Sequence, residues 1–256
     1  MVCERRKEIA QYIQAREQVS LDELCDVFKK SKNTIRRDIN DLESLGVLQK
    51  VYGGVRAIEL PSPTGEIVSF TDRTVKNVTE KNRICELAAP LVNDGDVIFI
   101  DSGTTVINII EHLALKKNLT IITNNFHVLH KCIQYPGINT VSFGGQLNTV
   151  TASFMSNFFF SDYIQMFNIN KAFLSATGVS IESGTSNTSP FEAEIKKGIV
   201  QKSNVNILLV DHTKFDRNAL LTYSSLNRFQ YVVTDCAPSQ KYLDYFAKND
   251  LQLILG

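Results

Sequence analysis

The sequence predicts a two-part α/β protein: a small N-terminal winged helix-turn-helix, then a larger, mostly parallel α/β domain. Three observations carry this. Residues 1–57 hold three short helical patterns followed by an alternating stretch around a Gly-Gly pair. From residue 80 onward, short apolar runs recur with helical stretches between them, which is the signature of a sheet covered on both faces. Between the two lies a segment rich in Pro, Ser and Thr.

Length and composition fit this division. The chain has 256 residues, is 43% hydrophobic and 21% charged, and carries a formal net charge of zero, so no global field draws it to nucleic acid or membrane. Its charge is mildly uneven. Residues 1–57 hold 11 Lys+Arg against 9 Asp+Glu, and the rest holds 16 against 18. The five cysteines, Cys3, Cys25, Cys85, Cys132 and Cys236, are scattered and odd in number, which argues against a disulfide framework or a linear zinc motif. No apolar run reaches the length of a membrane span, and no apolar signal core stands at the N-terminus. The expectation is a cytoplasmic protein with no membrane partner.

In the first domain, expected over residues 1–58, "RRKEIAQYIQAR" sets Ile9, Ala10, Tyr12 and Ile13 on one helical face. Ser20, with Glu23 three residues on, is a capping-box pattern and starts a second helix, "LDELCDVFKK". In "SKNTIRRDINDLESLGV" the residues Ile35, Ile39, Leu42 and Leu45 repeat at helical spacing, and Gly46 is a natural C-cap. "VLQKVYGGVRAI" then alternates around Gly53-Gly54, a hairpin signal. Residues 59–79 read as a linker.

The third helix opens with residues suited to DNA. Lys32, Asn33, Thr34, Arg36 and Arg37 fall in its first two turns, the part that enters the major groove in a helix-turn-helix. Asn pairs with adenine and Arg with guanine. Ser31 and Thr34 suit phosphate contacts, and Lys50, Tyr52 and Arg56 on the hairpin reach toward backbone or minor groove. Taken alone, such a helix is as readily a solvated amphipathic face. The order helix, helix, basic helix, glycine hairpin favours DNA.

In the second domain, expected over residues 80–256, strand-like runs are "DVIFID", "LTIITN", "INTVSFGG", "KAFLSAT", "VNILLVD", "YVVTD" and "LQLILG". Helical stretches are expected at 105–116, 126–134, 190–203 and 238–248. Ligands in such folds sit at the carboxyl ends of strands. Those ends carry Asp101, Thr123, Asn124, Asn125, Gly144, Gly145, Thr177, Gly178 and Asp211. In "DSGTT", Ser102, Thr104 and Thr105 offer hydroxyls, Gly103 permits close backbone approach, and a helix N-terminus directly after them would complete a cup for a phosphate. Asp101 suits sugar hydroxyls, and the asparagines both donate and accept. Lys214 offers a positive charge, and Glu192 and Glu194 begin a helix nearby. Singly, each of these is more often a cap or a turn residue; together at successive strand ends they point to a ligand site. His112, His127, His130 and His212 show no metal-binding spacing, so no metal and no cofactor are expected.

The stretch "SKNTIRRDINDLESLGVLQKVYGGV" strongly resembles the N-terminal signature of the DeoR family of bacterial transcription regulators. "DSGTT", "TNN", "FGGQLN", "SATGVS" and "DHTKF" are similar to motifs of that family's C-terminal domain, so the resemblance spans nearly the whole chain. It departs at Phe28-Lys29-Lys30, where the family usually has a Gly; the two lysines are offered as phosphate contacts instead. The resemblance implies a repressor of a sugar or sugar-derivative catabolic operon. It implies operator DNA and a phosphorylated sugar as partners, homo-oligomers (dimer or tetramer), and an effector domain similar in fold to ribose-5-phosphate isomerase. An isomerase-like enzyme with an accessory DNA-binding head is the alternative. Against it, the isomerase family carries a carboxylate pair in the loop that corresponds to Thr177-Gly178-Val179-Ser180, and this loop holds no acid. No catalytic residue is assigned.

Overall fold

The computed structural model describes residues 5–6, 8–9, 12–13, 16, 18–44, 48–51, 53–57, 68–155 and 164–256. Tyr52, Leu45 and Gly46 lie outside them. Contacts cluster into two units, Met1–Thr64 and Gly65–Gly256. The second half of the stretch expected as linker is not a plain linker: helix α3 (Phe70–Thr74), capped by Ser69, lies within it, and helix α4 (Val78–Ala88) begins two residues before position 80.

In the first unit, Ser20 caps helix α1 (Leu21–Phe28) by accepting the Glu23 N–H at 3.1 Å, as the capping pattern implies. Helix α2 spans Lys32–Ser44. Strands β1 (Leu48–Val51) and β2 (Gly54–Ala57) pair antiparallel through Gly53 at φ 86°. Val19 exchanges two 2.9 Å backbone hydrogen bonds with Val55, which ties the wing to the segment before α1. A Cβ on Gly54 would stand 2.3 Å from the Val19 carbonyl oxygen, so only glycine fits there. Ile9, Ile13, Leu24, Ile35, Ile39, Leu42, Leu48 and Val55 form one buried core.

The second unit is built on a seven-stranded parallel sheet. Its strands are β3 (Val97–Ile100), β4 (Thr120–Thr123), β5 (Asn139–Ser142), β8 (Lys171–Leu174), β11 (Val205–Leu209), β13 (Tyr231–Thr234) and β14 (Gln252–Leu255). They lie in the order β14-β13-β11-β8-β3-β4-β5. Alternate residues of each strand feed two cores: Ile98 and Ile100 face Ile84, Ile110 and Val128, whereas Phe99 faces Ile199, Tyr242 and Phe246. Burial on both faces accounts for the continuous apolar runs. Helices α6 (Phe126–Cys132), α7 (Pro190–Lys202) and α8 (Gln240–Lys248) agree with expectation to within three residues at either end.

Three features depart from the expected pattern among the described residues. The stretch 105–116 forms only a four-residue helix, α5 (Ile109–His112), preceded by turns with i→i−3 hydrogen bonds. Thr104, Thr105, Val106, Ile107, Ile109 and Ile110 are all β-branched and resist a longer α-helix. A second, antiparallel sheet also forms, from β9 (Gly178–Ser180), β10 (Gly184–Asn187) and β12 (Leu221–Ser224), in the order β12-β10-β9. Strands β6 (Gln146–Asn148) and β7 (Ser153–Met155) form a further hairpin.

The strand order reverses once. From β3 the chain steps outward through β4 to β5, then returns to the other side of β3 at β8 and steps outward again. The crevice at such a reversal, at the carboxyl ends of the strands, is the ligand position of open parallel sheets. Here the reversal lies between the ends of β3 and β8, at Asp101 and Ser175.

Candidate DNA-reading face and effector site

Helix α2 divides its residues cleanly. Ile35, Asp38, Ile39 and Leu42 are buried, while Asn33, Arg36 and Arg37 are exposed. The spacing 33, 36, 37 puts the exposed three on one face. Arg5 and Arg6 hold the buried Asp38, at 2.7 Å from Arg5 Nε to Oδ2 and 3.1 Å from Arg6 Nε to Oδ1. Burial would raise the Asp38 carboxyl, but the two guanidiniums outweigh it and hold it below the usual range. Asp38 therefore anchors the reading helix rather than reading DNA.

Other candidates in this unit have local partners. Ser31 caps α2: its Oγ accepts the Thr34 N–H at 3.3 Å and lies 3.0 Å from Thr34 Oγ1. Lys32 Nζ pairs with Asp22 at 2.5 Å, Lys50 with Glu43, and Arg56 Nη2 donates to Gln49 at 3.4 Å. The side chains of Ser31, Lys32, Lys50 and Arg56 are exposed, so the contacts yield readily to a phosphate. The departure at Lys29 has a local consequence. Lys29 takes the left-handed conformation at φ 51° as the C-cap of α1, the position glycine usually fills.

In the second unit, a buried network closes the carboxyl ends of β3 and β8. Asp101 Oδ2 accepts three hydrogen bonds: Ser175 N–H at 3.0 Å, Ser175 Oγ at 2.6 Å and Lys196 Nζ at 2.7 Å. Lys196 Nζ also donates to the Ser175 carbonyl at 2.7 Å, and Tyr223 OH donates to the same oxygen at 2.9 Å. Burial opposes the charge on Asp101, but Lys196 and Ser175 together hold its carboxyl below the usual range. Glu192, one turn before Lys196 on α7, accepts from Ser102 Oγ at 2.7 Å and from Asn187 Nδ2 at 3.2 Å. Asn187 Oδ1 accepts from Thr177 Oγ1 at 2.8 Å.

This arrangement revises the phosphate cup expected at 101–105. With α5 beginning only at Ile109, no helix N-terminus follows Thr105. Ser102 is committed to Glu192. A Cβ on Gly103 would stand 1.8 Å from Ser175 Oγ, so Gly103 admits a neighbouring strand end rather than a ligand. Thr105 is buried, and its carbonyl accepts from Cys85 Sγ at 2.9 Å. Thr104 is half-buried and lines a cavity.

The remaining candidates separate in the same way. Thr123 Oγ1 donates to the Ile100 carbonyl at 2.6 Å, and Asn125 caps α6 through the N–H groups of His127 and Val128. Gly144 and Gly145 take φ 65° and 104° at the turn between β5 and β6. Gly178 packs under the Arg217 carbonyl. Glu194 is exposed, unlike Glu192.

Asn124 Nδ2 and Oδ1, Asp211 Oδ2, and Arg73 Nε and Nη2 are buried with no hydrogen-bond partner among the described residues. Each such atom costs about 1–3 kcal/mol unless something binds it. Asp211 Oδ1 accepts from Asn77 Nδ2 at 3.2 Å and from Thr213 N–H at 3.0 Å, and Lys214 Nζ lies 3.8 Å from Oδ2. The segment holding Arg73 and Asn77 is thus tied to the end of β11. Beside it, a cavity of about 520 Å³ is lined by Phe70, Thr74, Lys81, Thr104, His127 and Lys131 among others. His127 stacks on Phe70 at 4.3 Å, and burial with neighbouring His130 pushes its pKa down.

Reading the sequence alone missed Arg73, Lys81 and Lys196. Lys196 was visible as a charge on the apolar face of α7, in step with Ile195 and Ile199 and four residues after Glu192. Arg73 and Lys81 fell in or beside the stretch read as linker.

Residues 76–236 match the DeoR C terminal sensor domain, and residues 5–60 match the DeoR-like helix-turn-helix domain. The chain belongs to the DeoR family. It is 39% identical over 254 residues to the HTH-type transcriptional regulator IolR of Bacillus subtilis (strain 168), covering 98% of each chain. It is 28% identical to the Glycerol-3-phosphate regulon repressor of Escherichia coli (strain K12), again with 98% of each covered. Among solved structures, ribose 5 phosphate isomerase A of Neisseria gonorrhoeae is similar at 17% identity and TM-score 0.39, over 53% of this chain and 52% of that one. This DeoR-family protein is thus a DNA-binding transcriptional regulator. No helix among the described residues is long and apolar enough to cross a membrane.

Proposed function

We propose that this DeoR-family regulator represses a sugar or sugar-derivative catabolic operon and is released from its operator by a phosphorylated sugar bound at the strand carboxyl ends of the second unit. The observation that carries this is the set of buried polar atoms without a hydrogen-bond partner on Arg73, Asn124 and Asp211, the last with Lys214 Nζ 3.8 Å away. Their chemistry fits that ligand class. A guanidinium presents a rigid fork to a phosphate. An amide both donates to and accepts from hydroxyls, and a carboxylate oxygen accepts from them. Lys81 and Thr104, on the cavity wall, add a charge and a hydroxyl. The Asp101–Lys196 network serves as the rigid floor of the site, because its polar groups already satisfy one another.

The coupling invoked is of ordinary size. A homodimer or tetramer presents two reading helices to the operator, and the effector favours a state with lower operator affinity. Such coupling changes affinity by roughly 5–150-fold. A thermal-shift panel on the full chain tests the ligand class, with sugar phosphates, their unphosphorylated parents and inorganic phosphate. At 100 times Kd a ligand adds about 2.7 kcal/mol. Stabilisation by one or more sugar phosphates, not by their parents, and lost in Arg73→Gln, is the expected result. A flat panel with a cooperatively melting protein would overturn it.

A further inference from the structure

We propose that His212, Asp235 and Cys236 form a site for a divalent transition-metal ion of the zinc class, built from side chains other than those assigned to the effector. The parallel register of β11 and β13 sets Leu209 opposite Val233, and the 210 N–H donates to the Val233 carbonyl at 3.1 Å. Continued past the strand ends, that register brings residue 212 alongside 235 and 236. The three donor atoms, His212 Nδ1, Asp235 Oδ2 and Cys236 Sγ, all lie within 4.8 Å of one another. Nδ1 to Oδ2 is 2.6 Å and Sγ to Oδ2 is 3.2 Å.

The backbone holds this cluster in place. Asp235 Oδ1 accepts the His212 N–H at 2.7 Å, which fixes one turn to the other. Imidazole, carboxylate and thiolate are the donor set that selects zinc-like ions over magnesium or calcium. His212 and Cys236 are exposed, so an ion has an entry path, and water can take the fourth position of a tetrahedral site. Binding would release the Cys236 thiol proton to solvent, with the His212 ring neutral and protonated on Nε2. No linear motif shows this, because positions 212, 235 and 236 meet only through strand register. The plainer alternative is a His212–Asp235 ion pair that merely fastens the turn, with Cys236 a bystander.

Cobalt(II) discriminates between the two, because thiolate ligation gives a charge-transfer band that a carboxylate or imidazole alone does not. The full chain, reduced, is titrated with Co²⁺ and then with Zn²⁺. The expected result is a thiolate–cobalt band that saturates at about one equivalent, is abolished in Cys236→Ser, and is bleached by zinc. His212→Ala should weaken binding at least ~100-fold, since even residues that only support metal ligands cost 10–100-fold. Thermal melts of both variants check folding. No band in the wild-type chain, a band that persists in Cys236→Ser, or one indifferent to His212→Ala would each overturn the site.

Discussion

Lys196 Nζ stands 2.7 Å from Asp101 Oδ2, with both side chains almost wholly excluded from solvent. The pair joins helix α7 to the carboxyl end of β3 across the point where the strand order reverses. Removing one partner leaves the other charged and buried, which typically costs about 3–5 kcal/mol. Lys196→Met should therefore lower the urea midpoint sharply, and adding Asp101→Asn should restore part of the loss. A midpoint unchanged in Lys196→Met would show that the pair does not hold the site.

The same pair has a pH signature. The folded-state value of Asp101 lies below its ordinary value. Its contribution is therefore fully present above the unfolded value of about 3.9, and it is lost as pH falls through the lower folded value. Unfolding measured from pH 5 downward should show a slope that Asp101→Asn diminishes.

His127 gives a second, milder dependence. Its folded value lies below about 6.5, so its contribution is present above that pH and fades as pH falls through the folded value. Because His127 stacks on Phe70, the hydrogen-exchange protection of the Phe70–Thr74 amides, taken relative to intrinsic rates at each pH, should fall at acid pH. His127→Phe should remove the change.

Lys29 occupies a left-handed cap that suits glycine. Lys29→Gly should stabilise the first unit by about 0.5–1 kcal/mol. If Lys29 also contacts DNA phosphate, the salt dependence of operator binding should fall by a slope of about one. Thermal melts and binding at two salt concentrations separate the two effects.

On the reading face, Arg36→Ala should cost about 1–3 kcal/mol of operator affinity and relax discrimination at one base pair. Lys50→Ala should weaken binding evenly across sequences. Anisotropy titrations at fixed salt against operator and scrambled duplexes distinguish these outcomes.

The legibility of the sequence varied with how local each signal was. Ser20 with Glu23, the apolar spacing of α2, and the Gly-Gly hairpin involve neighbours a few residues apart, and the structure contains them as expected. The strand runs were visible for the same reason, since two-sided burial writes a continuous apolar stretch. What depends on distant partners stayed hidden. The Asp101–Lys196 pair spans 95 residues, and "DSGTT" looked like a phosphate cup because nothing local reveals that Ser102 turns to Glu192 and Gly103 to Ser175. Arg73 lay in a stretch whose Pro, Ser and Thr content suggested a linker, although α3 inside it is tied to the rest of the unit through Phe70 and Asn77.

The most direct test of effector-controlled DNA binding is an anisotropy titration of the full chain on its operator, at fixed salt, with and without saturating sugar phosphates. The expected result is a 5–150-fold loss of operator affinity with one sugar phosphate, no loss with its unphosphorylated parent, and no response in Arg73→Gln or Asn124→Leu while both variants still bind operator. Operator affinity that no sugar phosphate changes, or a response undiminished in both variants, would contradict it.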